Sequence, residues 1–331
     1  MTGLQPWTFR SLCPVLECSP MKVSIVVLTK NAGPCLDSIF LGISAQRIRP
    51  KPEIIVVDSG SNDETLSRVC RHGIRLVEIP SREFNHGTTR NLAMSSSSGD
   101  MVAFLSQDAI PADECWLDGL LEPFKNEKVA GSFSRHLPRS ASSPLVRRLV
   151  SQFDLCGSTE PRINELGENI SPRRASFFAN TSSCIRRSIW EQFSFRKMDF
   201  AEDQDWSYRV LQSGFATAYA PRSMVIHSHD YMIRALFMRH FEHALAIRNI
   251  YGEKEIAAFS PKNWILEQIL ADLRYLKDVY PGSRRQKLEW ALKSPLWQTV
   301  RGFGLWLGSN ASSWPSFLVH VLSLQHRIAR T

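Results

Sequence analysis

The chain has 331 residues, with 43% hydrophobic and 22% charged. That balance belongs to a soluble globular protein and excludes disordered or fibrous classes, and the length holds one large α/β domain with a smaller appendage. Net charge is +8, but no nucleic-acid recognition motif accompanies it, so nucleic acid is not an expected partner.

The excess charge is uneven. Residues 281–331 carry Arg284, Arg285, Lys287, Lys293, Arg301, Arg327 and Arg330 against Glu289 alone, 7 − 1 = +6. The seven cysteines are odd in number, scattered and without a C-x-x-C pair, which predicts a reduced chain with neither a disulfide framework nor a zinc site. No apolar run approaches the ~18 residues of a spanning helix, and the N-terminus lacks the basic-then-apolar pattern of a secretory signal. A cytoplasmic protein is expected. Residues 1–20 hold Pro6, Pro14 and Pro20 without periodicity and are expected to be a poorly ordered extension.

Val23 to Leu28 is a continuous β-branched run, the mark of a strand buried on both faces. Asn31, Gly33 and Pro34 break it, and a helix is predicted over about 35–46. The next strand, Glu53 to Val57, stops at Asp58, and Ser61 with Glu64 has the spacing of a capping box. A strand over Arg75–Ile79, a helix over Thr88–Ser95 and a strand over Met101–Leu105 follow. This alternation predicts parallel βαβ units.

Beyond Pro111 the expected elements are a helix over Trp116–Phe124 and a strand over Val129–Ser134. A long Ser-, Pro- and Arg-rich loop is expected over 136–175, then a strand over Ser176–Cys184. A helix over Ala201–Ser213 precedes a strand over Thr217–Ile226, with Pro221 in a bend. From Tyr231 the pattern turns helical, over 231–249 and 264–278, and Gly and Pro then divide two shorter amphipathic pieces.

Five places carry chemistry. Ligands in open α/β sheets collect at the carboxyl ends of strands, and Asp108 stands at such an end. It could anchor a hard cation such as Mg2+ or Mn2+ beside a phosphate-bearing ligand; as a structural residue it would only form a turn. Asp58 could accept from a base or ribose, or serve with Ser61 as a cap. Phe84 to Asn91 is denser in hydrogen-bonding groups than a connector needs, and Arg90 could offer a donor fork to phosphate; the plainer alternative is a capped helix start. Glu202-Asp203-Gln204-Asp205 opens a helix, where the macrodipole favours acids but where one carboxylate could also act as a general base. The residues alone do not choose among the three. His227 and His229 close a strand, and one imidazole is expected to partner Asp108 rather than both.

Taken in order, these motifs resemble family 2 glycosyltransferases with a GT-A fold, and within them bacterial rhamnosyltransferases of surface polysaccharide assembly. The resemblance rests on Val-Ser-Ile-Val-Val-Leu-Thr-Lys-Asn (23–31), Val-Val-Asp-Ser-Gly-Ser-Asn-Asp-Glu-Thr (56–65), Phe-Asn-His-Gly-Thr-Thr-Arg-Asn (84–91) and Ser-Gln-Asp-Ala (106–109). It continues through Arg135 to Arg139, Phe177 to Ser183, Ala-Glu-Asp-Gln-Asp-Trp (201–206) and His-Ser-His-Asp-Tyr (227–231).

It implies a Rossmann-like, mostly parallel sheet with flanking helices over 21–230, and a helical C-terminal region over 231–331. It also implies a nucleotide-diphosphate sugar as donor, Mg2+ or Mn2+ as cofactor, and a glycan or polyprenyl-linked glycan as acceptor. Donor contacts fall on Thr29, Asn31, Asp58, Ser61, Arg90, Gln107 and Asp108. Asp108 and His227 would hold the metal, and Asp203, within the Glu202-Asp203 pair, would be the base of an inverting transfer. Ser106 replaces the first acid of the family's D-x-D element, leaving one strand-end carboxylate. Transfer of L-rhamnose from dTDP-rhamnose is the expected reaction; another hexosyl donor, or a non-catalytic nucleotide-binding subunit, is the alternative. A dehydrogenase is disfavoured because no G-x-G-x-x-G follows the first strand. Trp290, Trp297, Trp306 and Trp314, amid the basic tail, fit either a peripheral membrane contact or a packed helical cap.

Overall fold

A computed structural model of the chain describes residues 21–252 and 260–311, with Trp314 and Leu322. The expected extension over residues 1–20 lies outside them. The first strand, β1 (Val23–Thr29), is buried along nearly all its length. It leads through Asn31, at φ 53°, a left-handed conformation that Asn tolerates better than most residues. Then come α1 (Cys35–Ser44), β2 (Glu53–Asp58), α2 (Thr65–Arg71), β3 (Arg75–Glu78), α3 (His86–Ser96) and β4 (Met101–Ser106). Parallel pairing gives the order β3-β2-β1-β4. Because β2 and β4 flank β1 on opposite sides, the winding reverses there, and a crevice opens at the carboxyl ends of β1 and β4.

The chain continues through β5 (Ile110–Pro111), α4 (Trp116–Leu121), β6 (Val129–Leu137), α5 (Pro144–Ser151), β7 (Arg162–Asn164) and α6 (Pro172–Ala175). Next are β8 (Ser182–Arg186), α7 (Arg187–Trp190), α8 (Glu202–Gln212) and β9 (Ala216–Ile226). β8 runs antiparallel between β4 and β6, β9 is parallel to β6, and β5 and β7 are antiparallel to β9. Six of the nine strands therefore share one direction, which is the mostly parallel α/β sheet expected. Leu36, Ile39, Trp116 and Leu120 pack one face, and Met94, Phe133, Phe178 and Trp206 the other.

Several local expectations change. The segment 136–175 is not one loop: Ser143 and Ser171 accept from the N–H groups of Val146 and Arg174, with Pro at the first turn of each helix. The Ser-Pro pairs that look like loop punctuation are helix starts. The strand expected from Ser176 begins only at Ser182. The Ser61–Glu64 capping box does not form, because the Ser61 hydroxyl donates to Asp58 and Asp63 accepts from the Thr65 N–H. Cys115 is disulfide-bonded, against the expectation of a fully reduced chain; Cys35, Cys70, Cys156 and Cys184 are free.

The C-terminal helices are α9 (Ile233–Tyr251), α10 (Pro261–Asp278) and α11 (Arg284–Ser309). The two short pieces expected at the end are one helix, with Pro295 on its exposed side, where a lost backbone hydrogen bond can be replaced by water. α11 lies so close to α9 that a Cβ on Gly308 would sit 2.2 Å from the Phe241 carbonyl oxygen. Asp272 on α10 is fully buried. It accepts from Arg148 of α5 and from Ser294 and Gln298 of α11, tying the helices to the sheet domain through satisfied polar groups. No helix of the described residues is long and apolar enough to cross a membrane.

Candidate active site

The crevice at the ends of β1 and β4 is a cavity of about 390 Å³ whose lining includes Thr29, Lys30, Ser59, Phe84, Gln107 and Asp108. Its floor is built from strand-end side chains that bond one another. Asp58 is fully buried and accepts from the hydroxyls of Thr29 (2.9 Å) and Ser61 (2.5 Å) and the N–H groups of Gly60 and Ser61 (3.0 and 2.8 Å). Both its oxygens are engaged beneath the cavity, so it shapes the loop that faces the cavity. The Asn31 N–H donates to Ser61 Oγ and its side chain accepts from Asn62 N–H, while Gln107 Oε1 accepts from the Lys30 N–H at 2.6 Å.

Asp108 follows β4. Its Oδ2 lies 3.1 Å from His229 Nε2 and 3.6 Å from His227 Nε2, and the two ring nitrogens are 3.0 Å apart. One carboxylate oxygen and two imidazole nitrogens thus converge within 4.8 Å. Burial opposes the Asp108 charge, but hydrogen bonds and charge from both histidines outweigh it and hold its carboxyl far below the usual range. Arg139 clamps the backbone by donating to the Asp108 carbonyl at 2.5 Å. The sequence suggested one histidine; the structure brings both.

The acids of α8 are distinguished by their partners. Glu202, 5% exposed, pairs with Arg90 at 3.0 Å and accepts from Asn180 Nδ2 at 3.2 Å. Burial works against its charge, yet Arg90 and His86 outweigh it and keep its carboxyl below the ordinary value. Asp205 is held by Arg196 and Arg209. Among the described residues Asp203 has no ion pair; it accepts from the N–H groups of Asn180 (3.1 Å) and Gln204 (2.9 Å). Half-buried, it is pushed up to about 7 by desolvation and then by the Glu202 charge.

The turn into α8 is set by Ala201, at φ 59°, a conformation costing roughly 1–2 kcal/mol for a residue with a Cβ. The polar motif at Phe84–Asn91 supports this turn from below. Asn85 caps α3 and donates to the Met198 carbonyl, and Asn91 bonds both the N–H and carbonyl of Phe195. Gly87 is required here, since a Cβ would meet the Arg196 carbonyl oxygen at 1.9 Å. Arg90 lines the cavity but spends Nη1 on Glu202 and the His86 carbonyl.

A second cavity, about 590 Å³, adjoins the first and shares His86, Arg90 and Ser106 with it. Asp203, His227 and His229 line it, and so do Arg239, Trp264 and Trp297 of the C-terminal helices. Asp108 and Asp203, 95 positions apart in the chain, therefore edge two cavities that meet. Sequence reading weighed His229 only as an alternative to His227, and it gave no role to Asn180 or Arg239. The His-x-His spacing was a signal for the first; Arg239 sits in an amphipathic helix that gave none.

Fold and site define a transferase architecture, and the comparisons name its kind. Residues 24–193 match the family described as "Glycosyl transferase family 2". The O-antigen chain rhamnosyltransferase RfbN of Salmonella typhimurium is 33% identical over 229 residues, 67% of this chain and 71% of that protein. WbaN of Salmonella anatum, another O-antigen chain rhamnosyltransferase, is 30% identical over 66% of this chain and 70% of that one. Among solved structures, the mannosyltransferase PcManGT from Pyrobaculum calidifontis, in complex with GDP-Man and Mn2+, superposes with a TM-score of 0.59. It is 19% identical, over 89% of this chain and 87% of that one. The chain belongs to glycosyl transferase family 2, and its fold is the GT-A fold with a helical C-terminal extension.

The Arg90–Glu202 pair gives a direct test of this electrostatic arrangement. Removing one partner of a buried pair costs about 3–5 kcal/mol, so Arg90→Gln is expected to lose that much stability at pH 8, where Glu202 would be a buried unpaired charge. The folded-state value of Glu202 is depressed, so its contribution is present above its unfolded value and lost as pH falls. The gap between wild type and variant in urea unfolding should therefore hold down to pH 5 and narrow only below 4.5, as Glu202 begins to protonate. A gap independent of pH would show that the pair does not set the charge of Glu202.

Proposed function

We propose that the protein transfers L-rhamnose from dTDP-rhamnose, with inversion, to a hydroxyl of a glycan or polyprenyl-linked glycan. The two relatives are named rhamnosyltransferases, which supports the sugar. Asp203 carries the mechanism: it is the one acid of α8 without a cation, it faces the second cavity, and it is pushed up to about 7. A base of that strength accepts a hydroxyl proton well near neutral pH. Its carboxylate takes the acceptor proton as the acceptor oxygen bonds to the anomeric carbon. The carbon–oxygen bond to the diphosphate breaks, and its electron pair leaves on the diphosphate. Glu202 cannot compete, because Arg90 and Asn180 already occupy it.

The donor's nucleotide fits the first cavity, where Lys30 and the loops fixed by Asp58 and Gln107 face it. Asp108, His227 and His229 would hold a divalent cation. Their fit rests on the convergence of one oxygen and two nitrogens, a set that suits Mn2+ better than Mg2+, which prefers oxygen ligands. When bound, the cation supplies electrostatic stabilisation of the departing diphosphate. His229 thus offsets the acid absent at Ser106.

The reading also includes a membrane-surface contact. Arg285, Leu288, Leu292, Leu296, Phe303 and Trp306 recur at helical spacing along α11, opposite the side of Ser294, Gln298 and Arg301 that packs inward. Leu292 is 73% and Leu296 61% exposed. A basic helix with an outward apolar stripe lies favourably in an anionic bilayer interface.

Three outcomes are expected. Asp203→Asn should lower kcat by ~10²–10⁴-fold while donor affinity is kept, and wild-type kcat/KM should fall about tenfold per pH unit below about 7; undiminished turnover in the variant removes Asp203 from the role. His229→Ala should weaken Mn2+ binding, read by electron paramagnetic resonance, by about tenfold or more, and Mn2+ should bind wild type more tightly than Mg2+; unchanged Mn2+ affinity would leave His229 outside the metal shell. In flotation, wild type should rise with anionic vesicles and not with neutral ones, and the pair Leu292→Glu with Leu296→Glu should stay below. Flotation of that variant would place the contact elsewhere.

A further inference from the structure

The second cavity is electropositive without help from the metal site. Its lining includes Arg90, Arg173, Arg239 and Arg301 against Glu202 and Asp203, so 4 − 2 = +2. Arg90 is matched by Glu202. Arg301 is inserted between Trp264 and Trp297, its Cζ 5.2 and 4.7 Å from their ring centroids, and donates to His240 and Gln298. Arg239 differs from these. Its guanidinium rests over the Phe200 ring at 4.3 Å and has no hydrogen bond or carboxylate partner among the described residues.

A half-buried cation with its donors unspent is costly unless an anion completes it. The neighbouring histidines add no charge of their own. His240 and His243 are each pressed down to about 3, chiefly by burial, and are neutral at working pH. Arg239 lines the second cavity and not the first. Leu236, Trp264, Trp297 and Leu305 share its cavity, so an anion there would lie beside apolar and aromatic surface.

We infer that Arg239 is a specificity-determining residue that binds a phosphate group on the acceptor, whose apolar portion lies against Leu236, Trp297 and Leu305. A guanidinium in a fork geometry matches phosphate oxygens. Phe200, directly before the Ala201 turn, links this contact to Asp203, so an acceptor gripped at Arg239 is held near the base. The inference rests on the transferase reading, in which the first cavity holds the donor.

The test uses the full chain saturated with dTDP and Mn2+, so that the donor half is filled, and titrates farnesyl phosphate, farnesol and inorganic phosphate. Wild type should bind farnesyl phosphate at least about tenfold more tightly than farnesol, the size of one charge-assisted hydrogen bond. Arg239→Gln should erase that preference and leave dTDP affinity unchanged, and Arg239→Lys should restore part of it. Equal binding of farnesyl phosphate and farnesol by wild type overturns the inference, as does a loss in Arg239→Gln that falls on dTDP instead. If inorganic phosphate binds as tightly as farnesyl phosphate, the site is one for free phosphate and the acceptor assignment fails. Should Arg239→Gln not fold, a lysine variant with a reduced preference and unchanged dTDP affinity carries the assignment, and one with the full wild-type preference overturns it. Absence of any dTDP binding would instead sink the dTDP-sugar donor reading on which the inference rests.

Discussion

Two adjacent carboxylates occupy the first turn of α8, and a single guanidinium serves them. Arg90 reaches Glu202 from α3, at 3.0 Å and almost fully buried, and this allocation sets the electrostatics of the whole cleft. Glu202 is held ionised, and its fixed negative charge then acts on its neighbour. At Asp203 desolvation and then the Glu202 charge outweigh the more distant Arg90 and two backbone N–H groups, and its carboxyl rises to about 7. The macrodipole at the start of α8 would favour both charges, but it is shared by all the acids there and cannot separate them. Separation comes from the ion pair. A pair of titratable groups driven apart in this way is how one fold sets aside one acid as structural and one as chemical.

That allocation requires α3 and α8 to meet in one register, and much of the polar sequence between Phe84 and Phe200 serves this end. Asn85 and Asn91 hold the backbone of Phe195 and Met198. Gly87 admits the Arg196 carbonyl, and Ala201 bears the left-handed turn. The reversal of winding at β1 supplies the crevice, and β9 returns His227 and His229 to the end of β4. The sheet therefore positions Asp108, the α3–α8 contact positions Asp203, and Ser106, His86 and Arg90 form the seam between them.

Much of the fold was legible because its evidence is local. The short apolar runs at 23–28 and 101–105 sit between turn residues, which suits strands buried on both faces. The candidate acids were legible as well, since Asp108 and Glu202-Asp203 stand at element ends where carboxylates need a reason. Their separate duties were not, because the deciding partners, Arg90 and Asn180, are 112 and 22 positions from Glu202. Ser143 and Ser171 read as loop residues because Ser-Pro signals a turn and a helix start equally well. Asp58 looked available to a ligand, and only the three-dimensional contacts with Thr29 and Ser61 reveal that its oxygens are engaged. His227 and His229 would share a face on a strand, and a joint role was discounted because the loop after β9 need not follow that alternation.

The C-terminal helices were the least legible part, since one amphipathic pattern fits a buried cap and a membrane-facing helix equally well. The structure indicates why the choice was posed too narrowly. On α11, Trp297 and Arg301 face the second cavity, while Leu292, Leu296 and Trp306 face outward from the other side. One helix thus contributes a wall to the site and an apolar stripe to the surface, and the Asp272 network fixes its rotation so that neither face can turn into the other. If an acceptor has both a phosphate and an apolar portion, this arrangement brings its two environments together: a cationic, aromatic pocket inside and a basic, apolar surface outside, separated by one helix diameter. Truncating the helices would destroy both at once, so only substitutions confined to one face can tell recognition of the acceptor from recruitment to the surface that holds it.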